Sequence, residues 1–278
     1  MLCDLHVHSH FSDGTDSPRQ LIEQARALGL KAIALCDHNT VAGLPSFVEA
    51  AQGSGVEAVP GCEFSTDYQG TELHILGLFL RPEHYPVVSQ LLEDAQRRKE
   101  ESSRALVAAL KEAGYALDYE KICRRSSGQI NRAHVAAELM EQGYVSSIQE
   151  AFKDLLTKRR GFYHPPERIG AYDCIRFIKS LGAVAVLAHP FLNLEAQQLR
   201  QFLPQAVEAG LDGMEVYYAK YKPETTRIAV EMAREFSLLP SGGSDYHGEN
   251  KPDIAMGSGR GDLQIPYAWL KALERKSK

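Results

Sequence analysis

The residues with the clearest capacity for chemistry are histidines and carboxylates that stand beside short apolar runs. The first group is Asp4-Leu5-His6-Val7-His8, in which Asp4, His6 and His8 alternate with apolar residues. On a strand, that alternation places the three polar side chains on one face. Imidazole and carboxylate together suit Zn, Mn or Fe, and the lack of a thiolate cluster argues against a structural zinc site. The run is therefore a candidate metal site.

The same arrangement recurs along the chain, where a short apolar run leads to a histidine or a carboxylate. The runs and the groups that follow them are Ala32–Leu35 with Asp37-His38, Val56–Val59 with Glu63, Ala183–Leu187 with His189, and Leu238-Leu239 with Asp245 and His247. His74 lies inside a further apolar strand, Leu73–Leu80.

A lone histidine beside a strand is more often a hydrogen-bonded core or surface residue than a ligand. Here six histidines share this setting with three acids, and independent structural roles explain that pattern poorly. The nine candidate ligands are His6, His8, Asp13, His38, Glu63, His74, His189, Asp245 and His247. Because one ion needs only about four to six protein ligands, the set predicts two or three divalent ions.

The elements that must position these residues read as an α/β fold. Strand and helix patterns alternate over residues 1–60 and again after about residue 168, which predicts a parallel sheet with helices outside it. About seven strands can be counted. A barrel fits better than an open sheet, because ligands from the first, middle and last strands must converge. In α/β barrels the C-terminal strand ends form the active-site face.

Residues 83–164 have almost no strand pattern and contain three predicted helices, which indicates a helical insertion between barrel parts 1–82 and 165–278. The predicted helices are Val87–Ala113, Arg132–Gln142 and Ser147–Leu156. The insertion also carries basic residues, among them Arg132 and the run Lys158-Arg159-Arg160. Such an insertion, next to a metal cluster, can cap the site and bind an anion.

Composition excludes several other classes of protein. The 278 residues are 44% hydrophobic and 24% charged, with a net charge of −5, which is ordinary for a soluble protein and gives no general polyanion-binding surface. No apolar run approaches the roughly 20 residues of a membrane span. Five cysteines without a CxxC pair, and no secretion signal, predict reduced thiols and a cytoplasmic location. No obligate protein partner is indicated.

Together these motifs resemble the PHP (polymerase and histidinol phosphatase) family of metal-dependent phosphoesterases. The motifs stand here, in the family's order, as Asp4-Leu5-His6-Val7-His8 with Asp13, Asp37-His38, Gly61-Cys62-Glu63, His74, Ala188-His189-Pro190 and Ser244-Asp245-Tyr246-His247. The resemblance implies a distorted seven-stranded, TIM-like (β/α)7 barrel whose site commonly holds three ions. Asn39 departs from the pattern, since many members have an aspartate there.

The resemblance also implies how the ligands are shared. His6, His8, Glu63 and Asp245 would hold the first ion; Glu63 would bridge to a second ion, which His74 and His189 complete; Asp13, His38 and His247 would hold the third. Asp4 and Asp37 would orient ligating imidazoles, a role that carboxylates often have.

Motifs in the insertion resemble one branch of the family. They are Ile130-Asn131-Arg132-Ala133-His134, Ala151-Phe152-Lys153, the Lys158–Arg160 run and Tyr163. This branch removes the 3′-phosphate from 3′,5′-nucleotide bisphosphates, and some members degrade short RNA from the 5′ end. The resemblance implies a phosphorylated substrate, a nucleotide or a short RNA, that Arg132, His134 and Arg160 bind.

The expected reaction is attack on phosphorus by a hydroxide that bridges the ions and is held by Glu63, Asp245 and His189. Within this chemistry the alternatives are a 5′–3′ exonuclease on short RNA and a phosphatase of the histidinol-phosphate type. More distant alternatives are an amidohydrolase and a metal-binding module without catalysis. Glu215, at the end of the predicted sixth strand, has two open roles: support for the ligands, or a simple polar residue at the barrel end.

Overall fold

The computed structural model describes residues 1–125, 130 and 132–278, so Asn131 of the motif quoted above lies outside the described residues. The chain forms two compact units: Met1–Ser89 together with Ile169–Lys278, and Gln90–Arg168. The sequence places the insertion at 83–164, with the barrel in the two flanking segments. The first unit contains the sheet, and the second is helical.

A curled sheet forms the core of the first unit. Within the described residues its eight strands are β1 (Leu2–Val7), β2 (Ala32–Leu35), β3 (Glu57–Tyr68), β4 (Thr71–Leu78), β5 (Val184–Ala188), β6 (Gly213–Tyr218), β7 (Leu239–Gly243) and β8 (Ile265–Pro266). They are hydrogen-bonded in the order β7-β6-β5-β4-β3-β2-β1-β8.

The sheet curls until the end of β7 reaches β1, which nearly closes a barrel. The Asp245 N–H donates to the carbonyl of His6 at 2.9 Å, and the His8 N–H donates to the carbonyl of Tyr246 at 2.9 Å. These two backbone bonds place the polar segment after β7 directly beside the histidines of β1. The predicted α/β barrel is therefore confirmed.

The strand count and the strand directions differ in part from the prediction. β1, β2 and β3 are parallel, as are β5, β6 and β7, but β4 is antiparallel to both β3 and β5. β3 and β4 form a hairpin through Gln69 and Gly70, whose φ angles of 52° and 85° suit a two-residue turn. The eighth strand, β8, pairs antiparallel with β1. It has only two residues, which is too short to show a sequence pattern.

β3 is also longer than predicted. The apolar run Val56–Val59 suggests a strand that ends before Glu63, whereas β3 continues through Glu63 to Tyr68. The hairpin with β4 explains the extension, because each residue of Gly61–Tyr68 has a partner across the pair. Glu63 therefore projects from the middle of a strand, with His74 on the neighbouring strand.

The three helices predicted for the insertion agree closely with those observed. The helix bounds are α1 (Pro18–Ala27), α2 (Leu44–Ala51), α3 (Tyr85–Glu112), α4 (Tyr119–Arg125), α5 (Arg132–Glu141), α6 (Ile148–Asp154), α7 (Ala171–Ser180), α8 (Ala196–Glu208), α9 (Pro223–Glu235) and α10 (Tyr267–Glu274). The sequence pattern did not predict α4, a seven-residue helix. Among the described residues, no helix combines the length and the apolar character that crossing a membrane requires.

Apolar side chains fill the barrel interior below the polar strand ends. Leu5, Val59, Leu76 and Val186 are buried there together with other residues of β1 to β5. Cys36 and Cys62 are fully buried, which agrees with a packing role for both thiols. The second unit has its own apolar cluster, built around Leu106, Val135 and Leu156.

We predict that Gly243→Ala destabilises the barrel by about 1–3 kcal/mol, the usual cost of overpacking. A Cβ at Gly243, the last residue of β7, would lie 2.2 Å from the Cβ of His6 and 2.7 Å from its backbone nitrogen. Chemical unfolding followed by circular dichroism measures the effect. Gly170→Ala is the control, because a Cβ there meets only the flexible Asp173 carboxylate, at 3.1 Å. Equal unfolding free energies for both variants would contradict the prediction.

Candidate metal centre

The nine candidate ligands all lie in the first compact unit, at or near one end of its strands. His6 is in β1, Glu63 is in β3 and His74 is in β4. The remaining six follow strand ends: His8 and Asp13 after β1, His38 after β2, His189 after β5, and Asp245 and His247 after β7. Barrel closure brings residues from the two ends of the sequence to one point.

Glu63 lies at the centre of this group and is fully buried. Its Oε1 is 2.7 Å from Nδ1 of His74 and 2.9 Å from Nε2 of His189. Its Oε2 faces three other imidazoles, whose Nε2 atoms lie at 3.2 Å in His6, 3.3 Å in His8 and 3.1 Å in His38. One carboxylate thus faces two separate groups of imidazole nitrogens.

Two further carboxylates extend the cluster on the side of His8. Oδ1 of Asp245 is 3.3 Å from Nε2 of His8 and 3.4 Å from Nδ1 of His247. Oδ2 of Asp13 is 3.2 Å from Nε2 of His247 and 3.9 Å from Nε2 of His38. Asp13 is about half exposed, so this side of the cluster opens to solvent.

The described ligand atoms form four overlapping groups, each with its atoms within 4.8 Å of one another. These groups are His8, Asp13, His38 and His247; His6, Glu63 and His189; His6, His8 and Asp245; and His38, Glu63 and His74. The third ion set implied by the resemblance falls within the first group, with His8 added. Glu63 is shared between two groups, as are His6, His8 and His38. The division of the ligands among the ions remains a prediction.

Unpaired buried atoms test whether this donor set fits a cation. Nε2 of His6, both ring nitrogens of His8, Oε2 of Glu63 and Nε2 of His247 are buried without a hydrogen-bond partner in the part of the chain that the structure describes. Each buried polar atom that lacks a hydrogen bond lowers the stability of the fold by on the order of 1–3 kcal/mol. Divalent ions would bond these lone pairs, and the mixture of imidazole and carboxylate suits Mn, Zn or Fe.

The electrostatics of the protein without ions agree with this interpretation. Burial alone would raise the pKa of the Glu63 carboxyl, but the surrounding imidazoles bring it well below its usual range. Burial would lower the pKa of His74, but Glu63 outweighs that effect and raises the pKa to about 10. Burial prevails at His38 and lowers its pKa to about 4. Without ions, the site therefore holds protonated imidazole beside ionised carboxylates. A metal ion that binds there would displace those protons.

Asp4 and Asp37 are expected to orient ligating imidazoles, but their described hydrogen bonds go to other groups. Asp4 accepts hydrogen bonds from Ser244 and from the backbone N–H groups of His6 and Gly257. The β1–β2 register shifts between Asp4 and Val7, which interrupts the alternation that would place Asp4 beside the histidines.

Asp37 accepts hydrogen bonds from the Ser9 N–H, the Ser9 hydroxyl and the Ser12 hydroxyl. Among the described hydrogen bonds, neither Asp4 nor Asp37 contacts an imidazole. Both instead fix the backbone of the segments that carry the ligands. Asn39 has a comparable role, because its amide both donates to and accepts from Ser65 on β3.

Other residues contact the candidate ligands, and the sequence alone identified them poorly. Glu215 is fully buried and contacts both His6 and His189. Oδ2 of Asp245 accepts from the Tyr218 hydroxyl at 2.8 Å and from Nζ of Lys251 at 2.7 Å. Burial and Asp245 raise the pKa of Tyr218, which keeps its phenol protonated as a donor. Tyr218 lies in a strand of apolar type and Lys251 in a loop, so no sequence signal marks either.

The three predicted substrate-binding residues lie in the second compact unit. The Arg132 guanidinium lies over the ring of Tyr163, 4.3 Å from its centroid, and 5.3 Å from that of Phe152. His134 follows on the same helix, α5, and Nε of Arg160 donates to the carbonyl of Asp154 at 2.7 Å. The structure brings Arg132 together with two aromatic residues of the insertion motifs.

Known proteins similar to this chain agree on its family. The pattern that defines the PHP domain matches residues 4–163. A phosphoribosyl 1,2-cyclic phosphate 1,2-diphosphodiesterase of Eggerthella lenta is 35% identical over 90% of this chain and 95% of its own. A 5′-3′ exoribonuclease of Haemophilus influenzae is 33% identical over 88% of this chain and 89% of its own. A 3′,5′-nucleoside bisphosphate phosphatase of Chromobacterium violaceum is 28% identical over 90% of each chain.

The fold gives the same result. The crystal structure of a Bifidobacterium adolescentis protein, assigned as a metal-dependent phosphoesterase, superposes with a TM-score of 0.73 and 27% identity over 99% of this chain and 96% of that one. The family resemblance of the sequence motifs is therefore confirmed. The chain belongs to the PHP domain family and is a metal-dependent hydrolase of phosphoester bonds.

Proposed function

We propose that this phosphoesterase acts on phosphate esters of ribose, with the 3′-phosphate of a 3′,5′-nucleotide bisphosphate as its main substrate. The observation that carries the chemistry is the position of Glu63. Its two oxygens face two separate groups of imidazoles, at 2.7–2.9 Å and at 3.1–3.3 Å, inside a buried cluster. That arrangement suits neighbouring ions that share one carboxylate.

The division of the residues among the ions is the one that the family resemblance implies, and the ligand atoms lie close enough together for it. Glu63 would join a first set of His6, His8 and Asp245 to a second of His74 and His189, and a third set would be Asp13, His38 and His247. Two or three divalent ions, when bound, would neutralise phosphate oxygens and lower the pKa of a water from 15.7 to about 7.

The chain itself supplies orientation, burial and a clamp for anions. Tyr218 and Lys251 both donate to Oδ2 of Asp245, which leaves Oδ1 directed at the imidazoles. Arg132 offers a planar donor group for bidentate binding of phosphate. Because the guanidinium already stacks on Tyr163, its side chain would lose less conformational entropy when phosphate binds. His134 and Arg160 would assist on the same substrate.

The substrate class has support from the relatives. The three named above act on a nucleoside bisphosphate, on RNA and on a phosphoribosyl cyclic phosphate, and all three substrates carry phosphate on ribose. A second candidate activity is 5′–3′ degradation of short RNA, which the 33% identity to the Haemophilus influenzae exoribonuclease favours.

Assays of phosphate and nucleotide release test the proposal. Protein loaded with Mn²⁺, Zn²⁺ or Fe²⁺ is compared on a 3′,5′-bisphosphate, a 5′-phosphorylated short RNA, a ribose cyclic phosphate and an aryl phosphate, with and without chelator. The bisphosphate is expected to give the highest kcat/KM. Higher kcat/KM on the RNA would favour the exonuclease, and turnover that survives complete metal removal would refute the mechanism.

We predict that the purified protein binds more than one divalent ion per chain and that Glu63→Ala lowers this number. The reason is that Glu63 faces both imidazole groups. Elemental analysis after dialysis measures the metal content. Glu57→Ala is the control on the same strand, because Glu57 pairs instead with Tyr267 and Lys271. An unchanged ion count in Glu63→Ala would exclude the bridging role.

We further predict that His8→Ala, Asp245→Ala and His189→Ala each reduce turnover to background while the barrel stays folded. The three residues lie at the strand ends, where substitution affects function more than core packing. Activity and circular dichroism are measured on the same samples, with the exposed His10→Ala as control. Near-normal activity in any two of the three variants would rule out this site.

Finally, we predict that Arg132→Ala lowers kcat/KM for a nucleotide bisphosphate by roughly 10- to 100-fold, which corresponds to about 1.5–3 kcal/mol of charged hydrogen bonds. The loss should be smaller on an aryl phosphate that lacks a second phosphate, and metal content should not change. Arg104→Ala is the matched control, because Arg104 also lies over an aromatic ring, that of Tyr119, at 4.0 Å.

A small loss of equal size on both substrates would assign Arg132 a structural role in the insertion. It would also remove the main support for the bisphosphate as substrate, while leaving the metal-dependent chemistry of the barrel intact.

A further inference from the structure

Strand β6 contributes none of the nine proposed ligands, yet two of its side chains contact three of them. Glu215, fully buried, places Oε1 3.0 Å from Nδ1 of His6, and its Oε2 accepts the backbone N–H of His189 at 2.7 Å. The Tyr218 hydroxyl donates to Oδ2 of Asp245 at 2.8 Å. We propose that β6 is the positioning strand of the metal centre and that Glu215 holds one ligand from each of two ion sets in place. This inference rests on the ligand assignment of the proposed function.

The contact with His6 determines which ring nitrogen can bind metal. An ionised carboxylate only accepts hydrogen bonds, so Glu215 favours the form of His6 in which Nδ1 donates to Oε1. In the neutral imidazole the lone pair then lies on Nε2, the atom that is buried and 3.2 Å from Glu63. A carboxylate behind a ligating imidazole fixes both the tautomer and the ring orientation.

The contact with His189 holds a strained backbone. His189 has a φ of 26°, a region that residues other than glycine rarely adopt, and its N–H points at Oε2 of Glu215. In this conformation Nε2 of His189 lies 2.9 Å from Oε1 of Glu63. The imidazoles of His6 and His189 are stacked, with ring centroids 5.6 Å apart, and both residues are hydrogen-bonded to Glu215 through atoms other than the Nε2 that faces Glu63.

A β-bulge explains how one strand directs both side chains to the site. The β6–β7 register pairs Glu215 with Ser241 but Tyr217 with Gly242, so β6 has one extra residue between these pairs. In a regular strand, residues three apart face opposite sides. The extra residue returns Tyr218 to the same side as Glu215, and bulges near active sites commonly redirect a side chain in this way.

Zinc affinity, measured by competition with a chromophoric chelator, tests the proposal without reference to catalysis. Glu215→Gln retains the size of the side chain, but its amide cannot accept hydrogen bonds from both His6 and His189. This variant is expected to weaken the binding of two zinc ions, each by about 10- to 100-fold in affinity. Tyr218→Phe is expected to weaken binding less, because Lys251 still donates to Asp245. Ser241→Ala, a buried neighbour of Glu215, is the matched control and should bind zinc like the wild type.

Two spectroscopic measurements separate positioning from a merely structural role. Co²⁺-loaded Glu215→Gln should show a changed visible spectrum, whereas Ser241→Ala should not. In the Zn²⁺-loaded wild type, nitrogen NMR should find Nδ1 of His6 protonated and Nε2 bound to zinc. The second measurement needs no variant, so it decides the proposal even if Glu215→Gln does not fold.

Wild-type zinc affinity with an unchanged cobalt spectrum in Glu215→Gln would overturn the proposal, as would zinc bound through Nδ1 of His6. Its failure is distinguishable from that of the proposed function. A wild type that binds zinc but releases no phosphate from any ribose phosphate refutes only the proposed function. A wild type that binds no zinc refutes both.

Discussion

The structure of the centre depends on one constraint: a carboxylate that is buried without enough hydrogen bonds must be offset by positive charge. Glu63 meets this constraint by lying among five imidazoles, with Oε2 still unpaired within the described residues. An isolated ionised carboxylate would be strongly unfavourable in such a place. The imidazoles outweigh burial and bring the pKa of Glu63 well below its usual range, so its carboxylate is ionised among nitrogen donors, a donor set that divalent ions bind.

The barrel is the device that assembles this set of residues. Its ligands come from β1, β3 and β4 and from the segments after β1, β2, β5 and β7, and only a sheet that curls back on itself brings Asp245 beside His8. Close approach of the strands at Gly243 and strained backbone at His189 and Asp245 accompany that closure. Strain of this kind persists where surrounding contacts over-determine it, and here hydrogen bonds from neighbouring groups supply those contacts.

The two compact units carry different parts of the proposed chemistry. The barrel unit carries every proposed metal ligand, together with the groups that hold those ligands in position. The helical unit carries the proposed phosphate clamp, with Arg132 stacked on Tyr163 in a geometry that a lysine would not reproduce.

Local patterns in the sequence determined much of this protein. The alternation of His6 and His8, the apolar runs before His38 and His189, and the alternating strand and helix patterns are short-range signals. They predict the candidate ligands and the alternation of strands and helices, and the spread of ligands over first, middle and last strands adds the barrel. The tertiary structure alone decided which of these groups contact one another. Glu63 lies inside a hairpin strand because β4 pairs with it, and Glu215 reaches His6 across 209 residues of sequence. A bulge directs Tyr218 to Asp245. Contacts of this range, and the register that sets them, leave no periodic trace in the sequence, because they arise only when the sheet closes.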